Sequence, residues 1–260
     1  MRKYAFAAAA LAAFVSQAAA ADLPSRKDEP VLAPVAQDSW VVGVTFYGWA
    51  TSLDGRMRTV PPLRAVNVYA DFPDILKNLK GVFMGSLDAR YGRFVIFTDL
   101  IWSKIAPGKN FAAAGYPGTV TIDSSMGFGL LTGGYRFFDA PTAKIDVLAG
   151  VRGIAMSNTL NLHLGPLTAA YGKSDEWADA VIGARFRYEL SDKMFANAVG
   201  FVGAGGSKYE WDLYGGLGYR FDQNWSGEFG YRALKVDYVN GDFLYDAIMY
   251  GPLVAVHYQF

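Results

Sequence analysis

The stretch YGPLVAVHYQF, Tyr250–Phe260, ends the chain on an aromatic residue. Every second residue counted back from Phe260 is apolar or aromatic, whereas the residues between them form a smaller and more polar set. Because successive side chains of a strand point to opposite faces, this pattern predicts a strand whose apolar face continues to the last residue. Such a closing strand is typical of an outer-membrane barrel, in which one face of the sheet contacts lipid.

The first segment of the chain predicts export. Arg2 and Lys3 precede an alanine-rich apolar stretch, Tyr4–Val15, and Ala18–Ala20 provides a cleavage site of small residues. This order is typical of a secretory signal peptide, and the apolar stretch is too short to span a bilayer as a helix. We therefore predict three segments: a signal peptide over residues 1–21, a periplasmic Pro-rich tail over residues 22–39 and an outer-membrane β-barrel domain over residues 40–260.

The composition excludes several classes of protein. The chain is 52% hydrophobic and 15% aromatic, yet no other segment has the length and purity of a transmembrane helix, which excludes a helical membrane protein. A formal net charge of zero gives no sign of a nucleic-acid partner. The absence of cysteine excludes disulfides and thiolate metal sites. No metal-ligand cluster or phosphate-binding loop occurs either, so we expect no cofactor.

Alternation with a period of two recurs along the chain. In its clearest segment, Tyr209–Asp222, one face carries seven uncharged residues and the other carries Glu210, Asp212 and Arg220. This pattern predicts an all-β fold, a closed antiparallel up-and-down transmembrane β-barrel of ten strands, with eight strands as the alternative. The ten predicted strands are Trp40–Thr51, Gly81–Arg90, Arg93–Ile105, Thr119–Phe138, Ala143–Met156, Trp177–Leu190, Phe195–Gly205, Tyr209–Asp222, Trp225–Val239 and Tyr245–Phe260.

The connections follow the rhythm of such a barrel. Tight turns follow every second predicted strand, and generally longer connections alternate with them, as periplasmic turns alternate with outer loops. Residues Asp71–Lys80 in the first long connection predict a short amphipathic helix, which would pack on the barrel rim or act as a lid. A phase slip near Ala233–Leu234 predicts a β-bulge, and Met194–Gly205 fits either phase.

The same alternation is compatible with a soluble β-sandwich or a lipocalin-like barrel, in which the apolar face would form the core. The aromatic C-terminus, the aromatic residues near strand ends, the signal peptide and the turn rhythm together favour the membrane barrel.

If the apolar face contacts lipid, the charged face lines the lumen. Eight strands leave a lumen that side chains just fill, so ten strands lie close to that limit. Charges buried there must pair, and glycines such as Gly183 and Gly218 would make room for long side chains. We therefore predict a largely filled lumen and at most a narrow passage for small solutes. The candidates for a mixed-sign ion-pair network are Asp88, Arg90, Asp99, Arg136, Asp146, Arg152, Asp179, Arg185, Arg187, Glu210, Asp212, Arg220, Glu228 and Arg232.

Catalysis finds little support in the sequence. His163 lies in the predicted outer loop Ser157–Glu176 together with Ser157, Asp175 and Glu176, so a hydrolytic site at the outer rim is conceivable. The tight local motifs of outer-membrane lipid A deacylases and aspartyl-type proteases are absent. We therefore predict a chain that is not an enzyme, without catalytic or metal-binding residues.

Three stretches carry a resemblance to a known group. The residues ADLP at positions 21–24, GYRALKVDY (Gly230–Tyr238) and YGPLVAVHYQF resemble the small, largely uncharacterised porin-like outer-membrane β-barrels of alphaproteobacteria. The resemblance implies no catalytic residues, and it implies porin-like, structural, immunogenic or haem-binding roles. Many such relatives have eight strands, which is why eight remains the alternative.

We thus expect a structural component of the Gram-negative cell envelope. Its partners would be outer-membrane lipid, the barrel-assembly machinery through the strand ending at Phe260, and small solutes. The alternative is a surface binding protein that captures haem, lipid or a host ligand with the loops Ser52–Lys80 and Ser157–Glu176. Haem binding would require a ligand such as His163 in an exposed aromatic pocket.

Overall fold

The computed structural model describes residues 39–59, 64–113 and 115–260; the predicted signal peptide and all but the last residue of the predicted tail lie outside this range. No helix in the described part is long and apolar enough to cross a membrane. The elements in chain order are β1 (Trp40–Trp49), β2 (Ser52–Arg58), β3 (Val66–Ala70), α1 (Phe72–Lys77), β4 (Leu79–Tyr91), β5 (Phe94–Ile105), β6 (Gly108–Ala113), β7 (Tyr116–Asp139), β8 (Ala143–Leu164), β9 (Leu167–Glu189), β10 (Met194–Gly205), β11 (Tyr209–Arg220), β12 (Trp225–Asn240) and β13 (Phe243–Gln259).

Ten of these strands form a closed antiparallel barrel. Their order is β1-β4-β5-β7-β8-β9-β10-β11-β12-β13, and β1 pairs with β13 to close the ring. The pairing of β10 with β11 across Gly205–Tyr209 completes the count of ten. The predicted all-β, ten-strand barrel is therefore confirmed, and the eight-strand alternative is wrong.

The two ends of the barrel differ. Short turns join β4 to β5, β7 to β8, β9 to β10 and β11 to β12 at the end where β1 begins and β13 finishes. In the turn between β11 and β12, Asp222 accepts hydrogen bonds of 2.8 Å from the backbone N–H groups of Asn224 and Trp225. We call this the turn end, and the opposite end the hairpin end.

Additional secondary structure extends the hairpin end. β13 pairs with β1 along its second half and with β2 along its first half, while β3 pairs with β2 and β6 pairs with β7. The helix α1 forms within the predicted segment, with the Asp71 carboxylate accepting a 3.0 Å hydrogen bond from the N–H of Asp74. None of its residues is buried, so the helix is an exposed element of the hairpin end.

Three local predictions are wrong. The predicted loop Ser52–Lys80 contains the strands β2 and β3, which pair with β13 and with each other. The predicted loop Ser157–Glu176 is a β-hairpin, because β8 and β9 stay paired up to Leu164 and Leu167. The predicted bulge near Ala233–Leu234 is absent, since β12 pairs with β11 and β13 without a register shift. What changes at this point is the polarity of the two faces. Leu234, Val236 and Tyr238 point inward and are buried, so the apolar residues move from the outer face of the strand to the inner face.

Between this change of polarity and the turn end, the outward face of the barrel is an uncharged belt. On β9 the outward residues from Ala178 to Tyr188 carry no charge, and Ile182 is 57% exposed. Phe229 on β12 and Val254 on β13 are exposed in the same way, at 64% and 59%. Because so many large apolar side chains in a continuous band are rare on a soluble surface, the band indicates contact with an apolar medium.

Candidate functional site

An ion-paired layer crosses the middle of the lumen. The Arg232 guanidinium donates to Asp99 at 2.6 Å and to Asp212 at 2.7 Å. The Tyr47 hydroxyl accepts a 3.0 Å hydrogen bond from Arg232 and donates one of 2.6 Å to Asp99. These groups come from β1, β5, β11 and β12, so one cation links separate walls of the barrel. Charge-assisted hydrogen bonds of this kind are the strong ones in proteins.

Arg152 extends this layer toward β8. Its guanidinium is 2% exposed, donates to Asp212 at 2.8 Å and lies 3.3 Å from a Glu210 oxygen. The two Glu210 oxygens make no hydrogen bond within the described residues, so the Arg152 charge is their main compensation. Asp179 is fully buried and accepts two 2.7 Å hydrogen bonds from the N–H and the hydroxyl of Ser207 in the turn between β10 and β11. We call the set the polar layer: Tyr47, Asp99, Arg152, Asp179, Glu210, Asp212 and Arg232.

One step toward the hairpin end, the lumen becomes apolar. On five strands the next inward residue after a member of the polar layer is a buried apolar one. These residues are Trp49 after Tyr47, Ile101 after Asp99, Ile154 after Arg152, Trp177 after Asp179 and Leu234 after Arg232. They pack with Phe128, Met156, Phe243, Tyr245 and further residues into one cluster, which we call the apolar plug.

The top of the apolar plug is formed by stacked aromatic rings. The rings of Trp177 and Tyr238 are parallel within 3°, with centroids 3.7 Å apart, and both contact Phe243. β9 and β12 meet through this stack above the short turn between β10 and β11. The apolar plug therefore brings together side chains of β1, β5, β7, β8, β9, β12 and β13 at the hairpin end of the lumen.

The other side of the polar layer is a cavity. It has a volume of about 400 Å³, its floor is formed by Tyr47, Asp99, Asp212 and Arg232 of the polar layer, and it is lined toward the turn end by charged residues; we call it the vestibule. Asp146 there binds Arg136 at 2.8 Å and Arg185 at 2.8 Å. Glu189 binds Arg220 at 2.5 Å and Arg187 at 3.0 Å.

Glu189 was missed by the sequence reasoning. The alternation that identified Asp179, Arg185 and Arg187 reaches Glu189 in its next step, so the signal was present in the pattern. In the structure Glu189 is a shared partner for three cations, because Lys144 also lies 3.8 Å away.

Four predicted network residues make no ion pair in the described part of the chain. Arg90 and Asp88 line the vestibule, where Arg90 donates a 3.1 Å hydrogen bond to the carbonyl of Gly92. Glu228 accepts hydrogen bonds from Asn197 at 3.0 Å and from Tyr214 at 2.9 Å. Asp179 is held by Ser207. Neutral donors thus take the place of cations at Glu228 and Asp179, an arrangement that counting charges in the sequence does not reveal.

Apolar side chains fill more of the lumen than the sequence suggested. A second buried cluster contains Val95, Leu130, Leu148, Val181 and Phe201, all pointing inward. The predicted space beside glycines exists, but aromatic rings use it. A Cβ on Gly183 would lie 2.3 Å from the Phe201 ring, and one on Gly218 would lie 2.1 Å from the ring of Phe195. Ion pairs therefore occupy separate zones of the lumen, with apolar packing between them.

The residues considered for hydrolysis do not meet. His163 pairs with Thr119 and Thr168 near the tip of its hairpin, and it is exposed. Ser157 lies six residues away along the same strand, about 20 Å at the rise of a strand, and its hydroxyl accepts a hydrogen bond from Ser174. No group of three or more His, Asp or Glu side chains suited to a metal occurs among the described residues.

No family model and no curated protein sequence matches the chain. Among solved structures, the outer-membrane protease OmpT from Escherichia coli superposes with a TM-score of 0.55 at 9% identity, over 86% of this chain and 97% of that chain. The translocator domain of the autotransporter NalP from Neisseria meningitidis gives a TM-score of 0.41 at 15% identity, over 84% and 88% of the two chains. Ail of Yersinia pestis gives a TM-score of 0.31 at 10% identity, over 86% and 100%. At such identities the likeness is one of fold, and the chain shares the β-barrel fold of the outer-membrane protein OmpT.

Proposed function

We propose that this protein is an integral outer-membrane β-barrel with a closed lumen, which acts as a structural component of the envelope rather than as an enzyme or an open porin. The turn end would face the periplasm and the hairpin end the cell exterior, since short turns are periplasmic in such barrels. The uncharged outward belt supports the membrane location, because charges facing lipid are costly.

One observation carries the closed lumen. On five strands the inward face changes within one step from the polar layer to the apolar plug, and both zones are buried. A hydrated ion entering the vestibule would first have to separate the ion pairs of Arg232 and Arg152. It would then have to enter the buried apolar plug, where an isolated charge is very costly. Two barriers in series leave at most a narrow and rarely open passage for small solutes.

Single-channel conductance of the refolded protein in a planar bilayer tests this proposal. Heat-modifiable gel mobility first confirms that the barrel has folded. We expect a silent bilayer or rare small openings. Steady steps of sizeable conductance from folded protein would show an open pore and would overturn the closed-lumen proposal.

The proposed partners are outer-membrane lipid and the barrel-assembly machinery. Phe260 supports the second partner, because it projects from the closing strand at the turn end with 71% of its side chain exposed. Deletion of Phe260 should reduce the yield of folded barrel in the outer membrane of cells. The same deletion should leave unassisted refolding in detergent nearly unchanged. Kinship with alphaproteobacterial porin-like barrels is part of the same proposal.

The haem-binding version of the surface-binding alternative loses its main support. His163 lies on the hydrogen-bonded polar side of the hairpin, next to Thr119 and Thr168, and not in an aromatic pocket. The opposite face of that hairpin is apolar and carries Leu160, Leu164 and Leu167.

A further inference from the structure

A four-stranded sheet projects beyond the barrel at the hairpin end. It consists of β6, residues 116–124 of β7, residues 158–164 of β8 and residues 167–173 of β9, paired without a register shift. We call it the flap. The eight residues from Leu167 to Ser174 are all exposed, so no other described part of the chain packs against either face of this segment of β9.

The two faces of the flap have opposite chemistry. The register places Ile122, Leu160 and Tyr171 in one cross-strand row, and Leu164 beside Leu167 in another. All lie on the face that continues the lumen wall, and Leu167 and Tyr171 are 68% and 55% exposed. The other face is polar, and two pairs of its side chains are hydrogen-bonded to each other. There, Asn161 donates a 2.7 Å hydrogen bond to Asp123, and Thr119 donates one of 3.2 Å to Asn110.

The flap also has an open edge. β10 pairs with β9 only from Asp179 onward, so Leu167–Trp177 has β8 on one side and no second strand partner among the described residues. Exposed strand edges are usually protected by charges, proline or bulges, because their free backbone groups template further pairing. Residues 167–172 read LTAAYG and carry none of these protections, whereas Pro166 precedes this stretch and Lys173 follows it.

The backbone groups at this edge can be assigned. Ala178 accepts a 3.0 Å hydrogen bond from the N–H of Gly206, and Leu190 donates one of 2.9 Å to Met194, so even-numbered residues of β9 face the β10 side. Because successive residues of a strand direct their N–H and C=O groups to opposite edges, Thr168, Ala170 and Gly172 direct theirs to the open edge. Odd-numbered residues bond to β8.

We propose that the open edge of β9, over Leu167–Gly172, binds an extended segment of another protein as an additional antiparallel strand. The backbone groups of Thr168, Ala170 and Gly172 would supply the main-chain hydrogen bonds. The segment would place apolar side chains beside Leu167, Ala169 and Tyr171 and polar ones on the opposite face. A small apolar molecule fits the site less well, since small-molecule sites are concave and the flap is an open sheet. The proposal goes beyond the structural role of the closed barrel and does not depend on the conductance of the lumen.

The chain itself suggests a probe. Residues 158–164, NTLNLHL, already pair antiparallel with 167–173 along the other edge, with leucines opposite Leu167, Ala169 and Tyr171. A capped, fluorescein-labelled NTLNLHL peptide would be titrated with the refolded full-length mature protein in detergent and followed by fluorescence anisotropy. The control peptide NTNHLLL has the same composition without the alternation. We expect saturable binding of the first peptide and at least tenfold weaker binding of the second.

Two substitutions of Ala170 test whether binding depends on the backbone groups of the open edge or on the side chains of the flap face. Ala170→Pro removes an N–H from the open edge without removing one from the β8 pairing, and proline is tolerated at sheet edges. We expect it to reduce binding at least tenfold. Ala170→Thr keeps the N–H and should bind as the parent does. Gel mobility and circular dichroism confirm that both variants fold.

Three results would overturn the proposal. The first is no saturable binding by the parent protein. The second is equal binding by Ala170→Pro and the parent. The third is equal binding of the two peptides, which would indicate a nonspecific apolar surface. Loss of parent self-association in Ala170→Pro, with no peptide binding, would show instead that the edge pairs two copies of this chain.

Discussion

Arg232 on β12 and Asp99 on β5 form a 2.6 Å ion pair across the lumen, between strands that are four places apart in the ring by the shorter route. Both side chains are more than nine-tenths buried. Asp212 shares the same guanidinium at 2.7 Å and also binds Arg152 at 2.8 Å, so Arg232 links two carboxylates within the polar layer. A buried pair of this kind gives little net stability when intact, yet loss of one partner leaves an uncompensated buried charge.

Arg232→Ala should therefore destabilise the barrel strongly. We expect a loss of about 3–5 kcal/mol in the free energy of unfolding, because Asp99 and Asp212 lose their shared cation. Urea unfolding in lipid vesicles, followed by tryptophan fluorescence, measures the change. Arg58→Ala is the matched control, since Arg58 pairs at 3.5 Å with the exposed Asp242 and should contribute about 1 kcal/mol or less. Equal losses in the two variants would show that the polar layer carries no special role.

The barrel was predictable from the sequence because lipid imposes a strict pattern on its strands. Within the belt, every second residue must be uncharged. This rule identified the ten strands, including the separation of β10 from β11 after Gly205. Beyond the belt, the outer surface becomes polar and the lumen apolar. The alternation then persists with reversed polarity, which explains both the false bulge at Ala233–Leu234 and the missed hairpin after Met156.

The lumen was less predictable, because alternation shows which way a side chain points but not which partner it meets. It identified Asp99, Asp212 and Arg232 as inward residues, and the structure joins them in one group. It gave no sign that Asp179 is held by Ser207, since that contact depends on the geometry of a turn. It also assigned inward residues such as Phe201 no role, although they separate the charged zones.

Asp179→Ala should loosen the turn between β10 and β11. The substitution leaves the Ser207 N–H and hydroxyl without the carboxylate that accepts both at 2.7 Å, in a buried site. We expect a loss of about 2–3 kcal/mol and faster amide hydrogen exchange at Ser207. Asp179→Asn, which keeps an acceptor, should recover part of the loss.

Asp222→Ala provides the comparison for this turn. Asp222 also accepts two backbone N–H groups, but its turn is exposed and water can replace it. We expect a loss of about 1 kcal/mol or less. A loss as large as that of Asp179→Ala would mean that burial adds nothing to the Ser207 contact.

The outward belt can be tested with a single inserted charge. Val254 points outward near the middle of the belt on β13, and 59% of it is exposed. Val254→Arg should destabilise the barrel in lipid vesicles by about 2–4 kcal/mol, because the charge would face the bilayer midplane. Leu244→Arg lies on the same face of the same strand beyond Asp246, and its cost should be about 1 kcal/mol or less. Similar costs at both positions would contradict the membrane orientation proposed for this barrel.

The two barriers in the lumen predict a nonadditive effect on conductance. Arg232→Ser with Asp99→Ser removes one cation and one anion from the polar layer, but the apolar plug still excludes water from the path. Phe128→Ser, Met156→Ser and Leu234→Ser make the apolar plug smaller and wettable, but the ion pairs still block the vestibule floor. Each set alone should therefore stay nearly silent in a planar bilayer, while the combined variant should give steady openings. Steady conductance from either set alone, in protein whose gel mobility shows a folded barrel, would mean that a single barrier closes the lumen.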